Sequence, residues 1–460
     1  MSLIFFDNDG WFILNNGRYI MDHGVPMKNP FTWMEGLDII IQQWLWSVVT
    51  YTSFKIAGTW GLAAICVIMY GLSLFLFVKI GKLHRISIGR TMTFGTIMLL
   101  MMFGYLNIRP TFVTIVLLLW QVYLLEAYKL DGKWHRLLWL IMISFLEINF
   151  HAAIWTIHFV FLLPYLVPEI KTLIVDFQIQ KMNRLPLLAI IVPMFLIGFL
   201  NPYGIDGMMY LFKSYGDELK SAGIIELMAP ATDNIGLLVA AFMVIAIIWV
   251  TIHRKDRLQS SLFYILCGTA LLSLSHVRNS VYFLLGFMIF GIQILNTEKI
   301  NIENIHKKSS MVLSVAVFLL IFTSLPSIYK NIKEASTVED NTYTPIKAIE
   351  YLEKNMISHS TRLYTNFNPG GYVQWCGYKS FMEPRPELYF KTLNGKVDAF
   401  KDYNKAKKTT DPEKLKKFME KYDFEWMIVN NNEPIRMYLD LTGAGESVVN
   451  GNGYQLYQIK

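Results

Sequence analysis

GLAAICVIMYGLSLFLFVKI, residues 61–80, carries one charge, Lys79, close to its end. A helix needs ~20 mostly apolar residues to cross the hydrocarbon layer of a bilayer. This run meets that length, so the chain is read as membrane-embedded. Working outward, similar runs occur at 91–108, 111–128, 185–200, 235–252, 259–275, 280–296 and 311–326. The block 137–168 is too long for one span and divides best at Asn149-Phe150-His151. Counted this way there are about ten membrane-spanning helices, so the expected fold is an α-helical polytopic membrane protein.

Composition agrees. Of 460 residues, 53% are hydrophobic and only 17% charged, against about 25% charged in soluble domains. The net charge of +7 does not point to nucleic acid, because the basic residues sit in short loops between apolar runs. Loops 79–90, 129–136, 169–184, 254–257 and 299–308 are each basic, and the loops between them are not. By the positive-inside rule the basic loops face the cytoplasm. Residues 1–60 and the tail then lie outside. Cys66 and Cys267 fall in apolar runs and Cys376 is alone in the tail, which leaves the tail no internal disulfide.

Three regions are expected: a first external loop (1–60), a transmembrane bundle (61–330), and an extracytoplasmic α/β domain (335–460). In the first, 9–22 and 38–57 mix apolar and polar residues and read as amphipathic helices at the membrane interface. Gln42, Gln43 and Lys55 make the second costly as a span. In the tail, 344–356 and 411–422 read as helices. RLYTNF, GGYVQWCG, YKSFMEP, FEWMIVN and GYQLYQI read as short strands.

Ionisable residues beside apolar runs are expensive and therefore informative. They collect on the outer face: Asp7, Asp9, His23, Arg109, Glu147, His151, Asp206, Glu226, His276 and Arg278. The one-sided set suggests an outward-opening cavity. Asp7-Asn8-Asp9 can bind a divalent cation or supply a general base, although a helix cap is the plainer role. Arg109 and Arg278 suit a lipid-linked phosphate; snorkelling at a helix end is the plainer role for Arg109. Glu147 and His151 are hard to place as lipid-facing side chains, and a buried structural pair is the alternative. Glu226 lies in an external loop long enough to fold over a site. There is no P-loop, dinucleotide glycine motif, zinc spacing or nucleophile elbow.

An ordered set of motifs then resembles the GT-C superfamily of membrane glycosyltransferases, and within it a little-characterised bacterial group. The group has an acidic D-x-D, a Gly-Arg, then His-Gly-x-Pro and Asp-Pro-Phe. Here the stretch reads DNDGWFILNNGRYIMDHGVPMKNPFTW, with Asn29 in place of the Asp. QQWLW, RPTF, NFHAAIW, NPYG, IIELMAP, VRNSVYF and GGYVQW…FMEPRPELY follow in order. Gln43 and Ala152 stand where the group has Glu and Gly, so neither is given a catalytic duty. GT-C proteins also begin with a span before the acidic loop, for which MSLIFF is too short.

The resemblance implies a sugar transferase in a bacterial cytoplasmic membrane, with its site and C-terminal domain outside. The donor would be a polyprenyl-phosphate sugar and the acceptor a cell-envelope glycan, lipid or protein. Asp7 or Asp9 would be the general base, and Arg109 and Arg278 would hold phosphate. Glu147, His151, Glu226 and His276 would bind substrate. A divalent cation, Mg or Mn, on Asp7 and Asp9 is compatible but not required. Two other classes fit less well: a polysaccharide polymerase or ligase using a diphosphate-linked glycan, and a lipid or solute transporter. Transporters favour mid-membrane polar residues and internal repeats, and neither pattern is visible.

Overall fold

The computed structural model describes residues 8–166, 182–214, 260–296, 344–451 and 453–460. The expected spans 235–252 and 311–326, together with Asp7 and Glu226, lie outside these residues. The longer helices are α1 (Asn8–His23), α2 (Trp44–Leu83), α3 (Ile88–Met101), α4 (Thr111–Asp131), α5 (Leu138–Phe150), α6 (Ile157–Leu166) and α7 (Leu185–Leu196). They continue with α8 (Ser261–Ser275), α9 (Ser280–Leu295), α10 (Ile346–Lys354), α11 (Gly370–Trp375), α12 (Ala399–Lys407), α13 (Pro412–Tyr422) and α14 (Pro434–Thr442). Four strands, β1 (Leu363–Thr365), β2 (Trp426–Asn430), β3 (Gly445–Gly451) and β4 (Tyr454–Ile459), complete the chain.

The described residues form two compact units. The first comprises 63–166, 182–208 and 260–296; the second comprises 8–62, 209–214 and 344–460. Residues 8–62 and 344–460 belong to the same unit.

The first unit is helical. Trp44–Leu83, Thr111–Asp131 and Val277–Leu295 are long and apolar enough to cross a membrane, and Ile88–Met101, Ala152–Leu166, Leu185–Phe199 and Ser261–Ser275 are shorter apolar helices. The ten expected spans are thus represented by fewer long helices among the described residues. In this unit α4 packs on α5 and α6, α8 on α9 and α6, and α9 on α3. Large apolar side chains such as Val67, Phe75, Leu188, Val192 and Leu271 stay exposed on outer faces. That distribution suits helices bathed in lipid. The expected split at Asn149-Phe150-His151 is real: α5 ends at Phe150, and His151 leaves helical geometry with φ −156° and ψ 68°.

The segment 38–57 is helical only from Trp44. Its first residues are extended instead, because Asp38 N–H donates to the Asn394 carbonyl (3.1 Å) and Ile39 N–H to that of Met27 (3.3 Å). The helix then breaks at Ala57-Gly58, where Gly58 takes φ +58°. That break separates the two segments which composition also divides.

The second unit is built on a four-stranded sheet of order β1-β2-β4-β3. β1 runs parallel to β2, and the other pairs are antiparallel. Helices α10, α13 and α14 present apolar faces to this unit's core through Ile349, Leu352, Leu415, Phe418, Ile435 and Leu439. Two expected strands are not strands. GGYVQW is helix α11, and YKSFMEP makes only an isolated bridge at Ser380 with Leu363. β3 was not anticipated.

Candidate functional site

In the first unit, α4, α5 and the start of α6 meet at a buried polar network. Thr114, in the first turn of α4, donates its hydroxyl hydrogen to Glu147 Oε1 at 2.6 Å. The same hydroxyl oxygen lies 2.8 Å from His151 Nδ1. On the other side of the carboxylate, Glu147 Oε2 lies 3.2 Å from His158 Nε2. The two atoms are off-line for a hydrogen bond, so this contact is chiefly electrostatic. His158 Nδ1 pairs with Gln121 Oε1, and Gln121 Nε2 donates to the His158 carbonyl at 2.7 Å. Glu147, His158, Thr114 and Gln121 are all inaccessible to solvent, whereas the His151 side chain is 12% exposed.

Helical spacing explains the assembly. Thr114 and Gln121 are seven residues apart on α4 and so share a face. Glu147 closes α5, and the chain breaks at His151 before α6 brings in His158. Neighbouring contacts hold that break rigidly. Trp155 Nε1 donates to Ser144 Oγ (2.8 Å), Ser144 Oγ to the Met194 carbonyl (2.7 Å), and Asn149 Nδ2 to the Leu200 carbonyl (3.0 Å). Arg278 stands in the short turn between α8 and α9, close enough to act electrostatically on both His151 and Tyr282. His276 begins the same turn, its Nδ1 3.0 Å from Ser275 Oγ. Arg109 ends the turn before α4, where its carbonyl accepts from Phe112 N–H at 3.2 Å.

The structure therefore brings Glu147, His151 and Arg278 together and places Arg109 five residues before Thr114. Thr114, Gln121 and His158 were missed. Their signal was visible: polar residues at heptad spacing inside apolar runs, opposite a buried acid. A second such triad lies further along α4, where Glu126 is bonded by His84 Nε2 (3.0 Å) and the Tyr165 hydroxyl (2.8 Å).

In the second unit, Asp9 stands in the first turn of α1. The helix is held on several sides. Arg18 lies over the Trp375 ring (4.3 Å), donates to the Trp375 carbonyl (2.7 Å) and to Asn15 Oδ1 (2.8 Å). Trp11 stands edge-on to Tyr372 at 5.1 Å. Arg385 lies over Phe12 at 4.6 Å and pairs with Glu383 at 2.6 Å. Asn29, which replaces the group's Asp, is a turn residue here: its Oδ1 accepts from Phe31 N–H at 3.0 Å. The loop after it packs on the sheet, with Trp33 Nε1 donating to the Leu363 carbonyl at 3.2 Å.

Glu433, just before α14, accepts from Tyr364 and Asn366. Burial outweighs these bonds and pushes its carboxyl up to about 7. A carboxyl raised on folding favours the native state while protonated. That contribution is complete below the ordinary carboxylate range and lost as pH rises through about 7. Between pH 5 and 8 the second unit should lose about 2–3 kcal/mol through this group. Glu433→Gln should abolish that part of the slope in melts followed at both pH values; an unchanged slope would exclude Glu433 as its source.

The fold carrying these residues is mostly helical with a small C-terminal sheet, consistent with a GT-C-like architecture. No protein-family model matches the chain, and no curated protein does. Solved structures do. The chain resembles the oligosaccharyltransferase of Archaeoglobus fulgidus, a GT-C superfamily glycosyltransferase, in a structure tethered to an acceptor peptide containing the NVT sequon. The match has TM-score 0.56 and 11% identity, covering 99% of this chain and 70% of the other. The archaeal oligosaccharyltransferase AglB from the same organism, with an inhibitory peptide and a dolichol-phosphate, matches at TM-score 0.54 and 10% identity, with the same coverage. The apo form matches at 0.53 and 9%, covering 92% of this chain and 66% of the other.

Proposed function

We propose that the protein is a GT-C-type glycosyltransferase moving a sugar from a polyprenyl-phosphate carrier to a cell-envelope acceptor. The observation that carries this is the likeness over 99% of the chain to an oligosaccharyltransferase. The dolichol-phosphate bound in one of those structures is support for a lipid-phosphate donor. About ten spans, a bacterial cytoplasmic membrane and an external C-terminal domain belong to the same proposal, as do the three regions 1–60, 61–330 and 335–460.

In this reading Asp9 or Asp7 takes the proton from an acceptor hydroxyl as its oxygen attacks the anomeric carbon. The bond from that carbon to the carrier phosphate breaks, and the lipid phosphate leaves. Arg278 and Arg109 offset the charge that develops on it. Glu147, His151, His276 and Glu226 complete the substrate site. No group of three His, Cys, Asp or Glu side chains among the described residues could hold a metal ion. Asp7 is not among them; Mg or Mn on the two aspartates is compatible with this reaction and not required by it.

Asp9→Asn should lower sugar transfer from polyprenyl-phosphate donors by about 100-fold or more. It should be assayed beside Asp7→Asn in membranes containing equal amounts of folded protein. Full activity in both variants would remove the aspartates from the base role.

A further inference from the structure

The Thr114 hydroxyl lies between two groups and has one hydrogen to give. Glu147 Oε1 is the nearer, at 2.6 Å, and a carboxylate oxygen is the stronger acceptor. On the opposite side Glu147 Oε2 faces His158 Nε2, and the proton between these two groups sits on one atom or the other. Whichever of the two holds it, Oε1 remains an acceptor. The hydroxyl hydrogen is therefore committed to Glu147, and Thr114 Oγ1 can only accept from the ring at 2.8 Å. His151 must carry its hydrogen on Nδ1.

The other charged and titratable groups around the ring are Glu147 on α5, His158 on α6, Arg278 in the turn after α8, and Tyr282 on α9. Burial opposes a second proton on the imidazole; the carboxylate of Glu147 works against burial, and the positive charge of Arg278 adds to it. His151 Nε2 makes no hydrogen bond among the described residues, and this side chain is the network's one partly exposed member.

We propose that Thr114 and Glu147 are positioning residues that hold neutral His151 with a bare Nε2 lone pair, making it a hydrogen-bond acceptor. Such a nitrogen takes a hydroxyl and cannot donate to a phosphate oxygen. His151 thus separates from the phosphate-binding arginines and selects a hydroxyl-bearing part of the ligand. That the hydroxyl belongs to a sugar or its acceptor rests on the glycosyltransferase reading; the protonation pattern does not.

The test uses the full chain in lipid nanodiscs, labelled with ¹⁵N-histidine, at neutral pH and without ligand. Protonated and bare ring nitrogens resonate in separate bands, and His151→Gln assigns the signals. The wild type should show His151 protonated at Nδ1 and bare at Nε2. Thr114→Val keeps the side chain's shape but removes the acceptor, and should shift His151 toward the other tautomer. Thr114→Ser should restore the wild-type pattern, although it is the worse packing match. A protonated Nε2 in the wild type, or a His151 signal unmoved by Thr114→Val, would overturn the assignment. Failure of every sugar-transfer assay would leave this result standing, so the two readings fall separately.

Discussion

Arg385→Leu is expected to destabilise the second unit by about 3–5 kcal/mol, because it leaves a carboxylate buried without its partner. Arg385 and Glu383 are 4% and 1% exposed and pair at 2.6 Å. Arg385 also covers the Phe12 ring, so its loss uncovers apolar surface on α1. For a unit of this size the melting midpoint should fall by roughly 10 °C, read from fluorescence of Trp11 and Trp375 at the α1–α11 contact. The double variant Glu383→Leu/Arg385→Leu should lose much less, since no charge is then left buried. Burial already pushes the Glu383 carboxyl up, against the pull of Arg385. Without Arg385 it will take up a proton more readily, so the single variant's deficit should shrink at pH 5. Equal losses in the single and double variants would show that packing, rather than the ion pair, dominates.

That pair also marks what could be read from the chain and what could not. The order of apolar runs and the expense of Glu147, His151 and Arg278 are properties of single residues against their neighbours, so both can be read without the fold. The break at His151 was legible because 32 apolar residues cannot be one span. GGYVQW was misread because Tyr, Val and Trp between glycines favour strands locally. In the fold Gly370 lies against the backbone of Met382, where an added Cβ would come within 1.9 Å of its carbonyl oxygen. The helix is chosen by that close approach and by α1, neither of which is local. Segment 38–43 fails the same way: Asp38 and Ile39 find backbone partners at Asn394 and Met27. Thr114 and His158 are ordinary in sequence and acquire meaning only from the acid they surround. Asp9 was legible as an acid near a helix start. The residues that fix its helix, Trp375 and Arg385, are more than 350 positions away.

How tightly α1 must be held gives the second large effect. Gly17 faces the first turns of α2, and a Cβ there would lie 2.0 Å from the Ser47 carbonyl oxygen and 2.5 Å from Tyr51 Cβ. Neither neighbour is the loose end of a flexible side chain, so α1 itself has to move. Overpacking of this kind costs about 1–3 kcal/mol, and more where backbone is the obstacle. With Asp9 as the proposed base, the functional cost should be larger, because Asp9 rides on the same helix two turns earlier and Arg18 follows directly. A shift of about 1 Å in a reacting group can cost 100-fold in rate. Gly17→Val should therefore depress sugar transfer by about that factor while the protein still reaches the membrane and retains the wild-type His151 nitrogen signals. Gly71→Val is the control, since an added Cβ there meets nothing within 4 Å. If Gly17→Val is folded and fully active, the position of α1 does not govern the reaction, and Asp9 loses its claim as the base.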